Sequence, residues 1–247
     1  MRKYAVVCGL MLWGASVLAQ TTGPQLVSEV NLATPKPGMQ AQFEEGRKRH
    51  SAFHAAQKDT WSIYVWEVVT GENTGSYLMA SSGHNWKDFD AREAFDKTDA
   101  PDVAKNLQPY NAESARMMYV YRDDLSLTKP PATLAKMRVI TRYWLTVESM
   151  PAFIEAVKKV NEGIKKTNFP VKPSRWYSLA SGGEVPQFVL VSDRASWADM
   201  EPPEKTLDAA MKEVYPDANP LDVIRKSTKK LATEVQVFRP DLSYMAK

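Results

Sequence analysis

The hydrophobic and polar positions along the chain follow one order of elements twice. Alternating or continuous apolar runs predict β-strands, and apolar residues three or four positions apart predict helices. The predicted strands cover residues 26–32, 61–69, 76–81 and 115–123 in the first half, and residues 137–145, 176–180, 187–192 and 233–239 in the second. The clearest helices cover residues 39–53 and 153–164. Each half therefore reads β-α-β-β-α-β, the order of the ferredoxin-like split βαβ unit.

One segment of the chain occurs twice at a fixed distance. Residues 77–89 recur as residues 188–200, so that Trp86 and Asp88 correspond to Trp197 and Asp199 at an offset of 111 (197 − 86 and 199 − 88). Each copy predicts a buried strand, a short polar turn and a helix start that the aspartate caps. We expect both tryptophans to pack in the core. After Trp86 we expect short helical pieces, one before and one after Pro101.

The aromatic residues of the predicted strands indicate how the two halves combine. Helices cover one face of a ferredoxin-like sheet and leave the other face open. Six aromatic residues cannot all be hidden by helices on one side: Tyr64, Trp66, Tyr119, Tyr121, Tyr143 and Tyr177. The sequence therefore predicts an α+β fold of two tandem ferredoxin-like repeats that form one barrel-like unit with helices outside. The repeats are placed at residues 20–125 and 137–247, with a linker of extended character at residues 126–136.

The N-terminus has the pattern of a secretory signal peptide. Arg2 and Lys3 precede an apolar run at residues 5–17, and small residues end at Ala19. The alternative is a membrane anchor, but the run is shorter than the ~20 residues that span a bilayer. We therefore predict cleavage of residues 1–19 near Ala19 and export to the periplasm or the extracellular space. After cleavage, no membrane association is expected.

Cysteine and charge exclude several classes of function. Cys8, the one cysteine, lies inside the predicted signal, so the mature chain has no disulfide and no cysteine nucleophile. Removal of Arg2 and Lys3 reduces the net charge from +3 to +1 (3 − 2), and basic residues are interspersed with acidic ones. Nucleic-acid binding is therefore not expected. The sequence leaves the oligomeric state open.

The tandem β-α-β-β-α-β halves, each with a Trp-x-Asp helix start at Trp86 or Trp197, resemble the dimeric α/β-barrel superfamily. That superfamily includes antibiotic-monooxygenase-like and NIPSNAP-like proteins. The resemblance covers nearly the whole mature chain and implies a pocket between sheet and helices in at least one half. Family members include cofactor-free oxygenases, haem-handling enzymes and proteins without a known activity.

The positions of the histidines indicate whether the chain could ligate haem. Chlorite-dismutase-like proteins are also tandem ferredoxin-like chains, and the resemblance would place an axial histidine in the second half. Residues 137–247 contain no histidine. We therefore predict no haem and no other cofactor.

Two histidines on the first long helix are candidates for chemistry. His50 and His54 are four residues apart and can face one way, which could hold a metal ion. No further Asp or Glu follows at a recognisable ligand spacing, so the sequence predicts no complete metal site. His50 lies on the helix face predicted to meet the sheet, and Asn161 is its counterpart in the second half. His50 is either a general base or orienting donor, or a boundary histidine with satisfied hydrogen bonds.

Arg142 is a second candidate, because it lies in a predicted strand beside aromatic residues. Such an arginine can neutralise a carboxylate or enolate in a pocket, and it can equally extend from a sheet edge. The chain has no nucleophile elbow, phosphate-binding loop or dinucleotide fingerprint.

Three functions remain. The first is binding of a small apolar or aromatic ligand in a pocket lined by the six strand aromatics and His50. The second is a cofactor-independent, monooxygenase-like enzyme, in which His50 takes a proton and Arg142 or Tyr64 steadies the anion. The third is a structural or interaction role without pocket chemistry.

Overall fold

The computed structural model describes residues 25–131 and 133–246. The predicted signal peptide lies outside these residues. In the first repeat, the elements are β1 (Val27–Pro35), α1 (Gln40–Ala56), β2 (Tyr64–Val68), β3 (Tyr77–His84), α2 (Trp86–Asn106) and β4 (Asn111–Arg122). In the second repeat, they are β5 (Met137–Leu145), α3 (Met150–Thr167), β6 (Ser174–Ser181), β7 (Gln187–Arg194), α4 (Leu207–Val214), α5 (Pro220–Ser227) and β8 (Thr228–Phe238). Within the described ranges, no helix has the length and apolar character needed to cross a bilayer.

The strands of both repeats form one closed antiparallel barrel, in the order β1-β3-β2-β8-β5-β7-β6-β4. Each repeat contributes a four-stranded sheet in which its first and third strands are central. The sheets join twice, by pairing of β2 with β8 and of β4 with β6. Both junctions join an outer strand of one repeat to an outer strand of the other, so no sheet edge is left open. The predicted fold class is confirmed.

Alternation along each strand gives the barrel an inner and an outer face. Inward residues form one apolar cluster across both sheets, which includes Val30, Trp66, Tyr119, Ile140 and Val189. Outward residues pack against the helices in two further clusters. Phe43 of α1 covers the first sheet, and Phe153 of α3 covers the second. Both faces of each sheet are therefore buried over much of their area.

The second helix of the first repeat corrects the sequence prediction. Residues 86–106 form one continuous helix that contains Pro101, not two short pieces. Proline removes one backbone donor and disfavours the helix locally. The turn before Pro101 nevertheless packs on α1 through the ring of Phe95, and the residues after it pack on α1 and the sheet through Val103 and Leu107. This tertiary packing outweighs the low helix propensity of proline. Asp96, Asp99 and Asp102 consequently lie on one helix.

The prediction that the two repeated tryptophans pack in the core is also wrong. Trp86 is 44% exposed and Trp197 is 56% exposed. Trp86 instead donates from Nε1 to Gln25 Oε1, at 3.0 Å. In the second copy, residues 197–200 form only one turn of 3-10 helix.

The two aspartates of the repeat do bind the backbone at the helix start. Asp88 Oδ2 accepts from the Asn85 backbone N–H at 2.7 Å. Asp199 Oδ2 accepts from the Ala195 backbone N–H at 2.7 Å. The repeat therefore reflects the satisfaction of free backbone donors rather than core formation.

The linker between the repeats packs against the barrel. Leu125, the residue just before the linker, is fully buried, and Thr128 in the linker donates from Oγ1 to the Ser174 carbonyl at 3.1 Å. Pro130 and Pro131 then line the inside of the barrel at one end. The linker thus contributes to the cavity wall as well as joining the two repeats.

Replacement of Gly46 by alanine is expected to lower the free energy of unfolding by about 2–3 kcal/mol, an overpacking cost. A Cβ at Gly46 would overlap the backbone carbonyl oxygen of Asn106, where α1 crosses the end of α2. Gly163→Ala is the matched control on α3, because its Cβ would meet the flexible end of Met211. Urea denaturation of both variants measures the difference. Equal stability of the two variants would contradict the close approach of α1 and α2.

Candidate functional site

A cavity of about 290 Å³ lies inside the barrel. Five of the six aromatic residues predicted to bind a ligand line it: Tyr64, Trp66, Tyr119, Tyr121 and Tyr177. They come from both repeats, on strands β2, β4 and β6. The strand alternation places their side chains on the inner face, where no helix can reach them.

Tyr143 is not in this cavity. It lies on the outer face of β5, with its ring 5.5 Å from that of Phe153 and 5.3 Å from that of Trp176. Its neighbour Arg142 points inward, because adjacent residues of a strand face opposite sides. Tyr143 is therefore part of the packing between the second sheet and α3.

Three arginines also line the cavity, and two of them are paired. Arg142 donates from Nη2 to Glu234 Oε1 at 2.8 Å, and Glu234 is almost fully buried. Arg175 makes a bidentate pair with Asp193, at 2.8 and 2.6 Å. Both positive charges are neutralised by the protein itself. The structure thus places Arg142 in the cavity but gives its charge a partner.

Arg138 is the third arginine of the cavity, and it was not among the sequence candidates. Its guanidinium lies 3.9 Å from the centre of the Trp66 ring, and its Nε donates to Gln236 Oε1 at 2.7 Å. Among the described residues, no carboxylate lies within 4.0 Å of it to form a salt bridge. Burial lowers the pKa of Arg138 to about 9, so the group remains cationic at neutral pH. Its position four residues before Arg142 on one strand was the signal that could have found it.

His50 lies in a different cavity. This second cavity, of about 420 Å³, is enclosed by α1, α2 and the outer face of the first sheet. It matches the predicted location between sheet and helices, whereas the aromatic residues line the barrel. The sheet separates His50 from Arg142, so the structure does not bring the two catalytic candidates together.

The two histidines of α1 and one aspartate of α2 converge at the wall of the second cavity. The Nε2 atoms of His50 and His54 are 3.1 Å apart. Asp99 Oδ1 lies 3.6 Å from each of them. All three ligand atoms therefore fit around one point. The sequence prediction of no complete metal site rested on the lack of a further Asp or Glu at ligand spacing, whereas Asp99 lies on α2 and is brought to the histidines by packing of the two helices.

Carboxylates on the far side fix the orientation of both imidazoles. His50 Nδ1 lies 2.7 Å from Asp102 Oδ1, and His54 Nδ1 lies 2.8 Å from Asp59 Oδ2. Arg92 holds Asp59 through two hydrogen bonds, at 2.6 and 2.7 Å. Each histidine thus presents its second nitrogen to the common point.

Burial determines the protonation of this cluster. Burial, together with the positive charge of Arg47, lowers the pKa of His50 to about 3 and that of His54 to about 4. Burial raises the pKa of Asp99 to about 6. Both imidazoles are therefore neutral at neutral pH, the form that has a free lone pair.

The histidines of this chain are not placed to ligate a haem iron in the barrel cavity. The three histidines are His50, His54 and His84, all in the first repeat. None of them is among the described residues that line the barrel cavity. The second repeat thus offers no imidazole to an iron.

No family model matches the sequence, and no curated protein matches it. Solved structures match it over most of the chain. An anthrone oxidase-like protein has a TM-score of 0.58 and 14% identity, over 88% of this chain and 92% of that chain. A mutant chlorite dismutase from Candidatus Nitrospira defluvii has a TM-score of 0.57 and 7% identity, over 89% of this chain and 94% of that chain.

A protein proposed to be a monooxygenase, from Lactobacillus acidophilus NCFM, has a TM-score of 0.53 and 9% identity, over 90% of this chain and 97% of that chain. At such identities the likeness concerns the fold alone. The chain therefore has the ferredoxin-like α+β barrel fold found in monooxygenase-like and chlorite dismutase-like proteins.

Proposed function

We propose that the protein binds a small aromatic or apolar acid inside the barrel, with the anionic group of the ligand on Arg138. The proposal rests on the surroundings of Arg138. Arg138 is a largely buried cation against Trp66, in an apolar cavity, without a carboxylate partner among the described residues.

The size and the walls of the cavity indicate the class of ligand. A volume of about 290 Å³ lies just below the roughly 300–1,000 Å³ of typical small-molecule pockets. Tyr64, Trp66 and Tyr177 offer ring faces and edges, which favour another aromatic or apolar group. A compact molecule of one or two rings fits these limits.

The charge of the cavity indicates an acid. A buried charge without a counter-ion carries a desolvation cost that an anionic ligand would offset. The planar guanidinium also matches a carboxylate with two parallel hydrogen bonds. Arg142 and Arg175 do not need such a partner, because Glu234 and Asp193 already supply one.

The alternative of a monooxygenase-like enzyme with His50 as the base finds less support. His50 lies outside the barrel, across the sheet from the aromatic residues. The similar solved structures have folds that are compatible with a small-molecule ligand. The residues that line the barrel favour binding of such a ligand.

Three naphthalene derivatives with an anionic, a neutral or a cationic group at the same position test the proposal. We expect 2-naphthoate at a hundredfold excess over its Kd to raise the Tm by roughly 5–10 °C. At the same concentration, the neutral 2-naphthylmethanol should raise the Tm less than 2-naphthoate does, and the cationic 2-naphthylmethylammonium should raise it least. Thermal unfolding followed by circular dichroism measures all three shifts.

Tyr143→Phe is the control variant, because Tyr143 lies on the outer face of the barrel and should not affect the shifts. Equal shifts for the carboxylate and the ammonium compound, or none for any of the three, would disprove the proposal.

A further inference from the structure

We propose that His50, His54 and Asp99 bind a divalent transition-metal ion in the cavity between α1, α2 and the first sheet. This site lies outside the barrel and is independent of the proposed acid-binding function. Two imidazole nitrogens and one carboxylate oxygen form a known donor set for such ions, with positions left open for water or a further ligand.

The distances between the ligand atoms suit one shared ion. Metal–nitrogen and metal–oxygen bonds of about 2.0–2.2 Å are typical of such sites. Two nitrogens 3.1 Å apart can both reach that distance, at an angle close to 90°. Asp99 Oδ1, at 3.6 Å from each nitrogen, can complete the set at a wider angle. The spacing of four residues on α1 brings the two imidazoles to the same side of the helix.

The hydrogen atoms of the imidazoles are fixed by their other partners. Arg92 binds both oxygens of Asp59, so Asp59 is an ionised acceptor and the Nδ1 of His54 must donate to it. Asp102 accepts from Asn106 at 3.0 Å, and it also accepts from His50, whose Nδ1 therefore carries the hydrogen. In the neutral imidazoles, both Nε2 atoms then present lone pairs to each other. This carboxylate–histidine arrangement is typical of the surroundings of bound metals.

Asp99 supplies an independent observation. Its Oδ1 is buried and has no hydrogen-bond partner among the described residues. A proton shared between the two nitrogens would satisfy His50 and His54. It would leave Asp99 unsatisfied, because 3.6 Å exceeds hydrogen-bond length. A metal ion at the common point satisfies all three groups.

The surrounding charges also favour a cation. Asp59, Asp96, Asp99 and Asp102 are acidic, whereas Arg47 and Arg92 are the basic residues that act on Asp99. With neutral imidazoles, these groups leave two excess negative charges (4 − 2). The adjacent cavity of about 420 Å³ gives an ion a route in and room for further ligands.

Calorimetric titration of the full, untagged chain tests the site, after chelator treatment to remove metal. We expect Zn²⁺ and Co²⁺ to bind saturably with one ion per chain, and Mg²⁺, which prefers oxygen ligands, not to bind. Asp99→Asn should weaken Zn²⁺ binding by at least tenfold, since loss even of an outer partner costs about 10–100-fold. His84→Gln is the matched control, because His84 lies at the end of β3, outside the cluster. It should retain wild-type affinity.

The absorption spectrum of the Co²⁺-loaded wild-type protein gives a second readout that does not depend on the folding of any variant. Visible ligand-field bands that saturate at one equivalent and disappear on addition of Zn²⁺ would support the site. Absence of saturable Co²⁺ and Zn²⁺ binding to the wild type would overturn the proposal. Unchanged Zn²⁺ affinity in folded Asp99→Asn would overturn it as well.

Discussion

Replacement of Arg138 by methionine is expected to weaken the binding of 2-naphthoate by about 30-fold or more. Removal of one member of a desolvated charge pair costs about 2–5 kcal/mol, which corresponds to this factor. Methionine retains the apolar stem that packs near Trp66 but has no charge. Binding of the neutral 2-naphthylmethanol should stay nearly unchanged. Isothermal calorimetry with both compounds measures the two effects separately.

The double variant Arg142→Met/Glu234→Leu is the matched control for this experiment. It removes an arginine from the same cavity together with its partner carboxylate, so the net charge of the cavity is unchanged. Single replacement of Arg142 is unsuitable, because it would leave Glu234 buried and free to pair with Arg138. The double variant should bind 2-naphthoate far better than Arg138→Met does. Equal losses in the two variants would mean that Arg138 has no special role.

Replacement of Glu234 alone by leucine is expected to lower the free energy of unfolding by about 3–5 kcal/mol, because it leaves a buried charge without its partner. Glu234 accepts from Arg142 at 2.8 Å and from Asn73 at 3.0 Å, and it also accepts from Gln236. Burial alone would raise the pKa of Glu234, but the hydrogen bond from Arg142 lowers it below the ordinary value, so the group is ionised. Urea denaturation measures the loss.

The double variant Arg142→Met/Glu234→Leu should recover most of that stability. Replacement of a whole buried ion pair by apolar residues is often neutral or stabilising, because neither charge is then left without a partner. The pair of Arg116 with Glu29 serves as a control, since Arg116 is 57% exposed. Arg116→Ala should change the stability by no more than about 1 kcal/mol. Similar losses for the single and the double barrel variants would contradict a coupled pair.

The strand pattern predicted the architecture because each half of the chain has the same order of elements. It also predicted that aromatic residues such as Tyr64 and Tyr119 need a second sheet to cover them. It could not assign the faces of β5. On that strand, Arg138, Ile140 and Arg142 point inward, while Tyr143 points outward. Because helices cover the outside, both faces are buried, and hydrophobic alternation does not distinguish them.

The histidine cluster shows a second limit of sequence spacing. His50 and His54 lie one helical turn apart, which the sequence revealed. Asp59, the partner of His54, is five residues away in sequence. Asp99 and Asp102 instead come from α2, and His50 and Asp102 are 52 residues apart. Contacts between helices depend on packing, not on spacing within either helix. The second repeat contains no histidine, and Asn161, the counterpart of His50, donates to the Leu125 carbonyl at 2.8 Å.

Crystallography with a bromine-labelled acid tests the central claim most directly. Crystals grown with saturating 6-bromo-2-naphthoate, measured at the bromine absorption edge, locate the ligand without assumptions about its pose. We predict an anomalous peak inside the barrel, among Tyr64, Trp66 and Tyr177, with the carboxylate on the guanidinium of Arg138. An anomalous peak outside the barrel, or an empty barrel at saturating ligand, would contradict the proposal that this cavity binds aromatic acids.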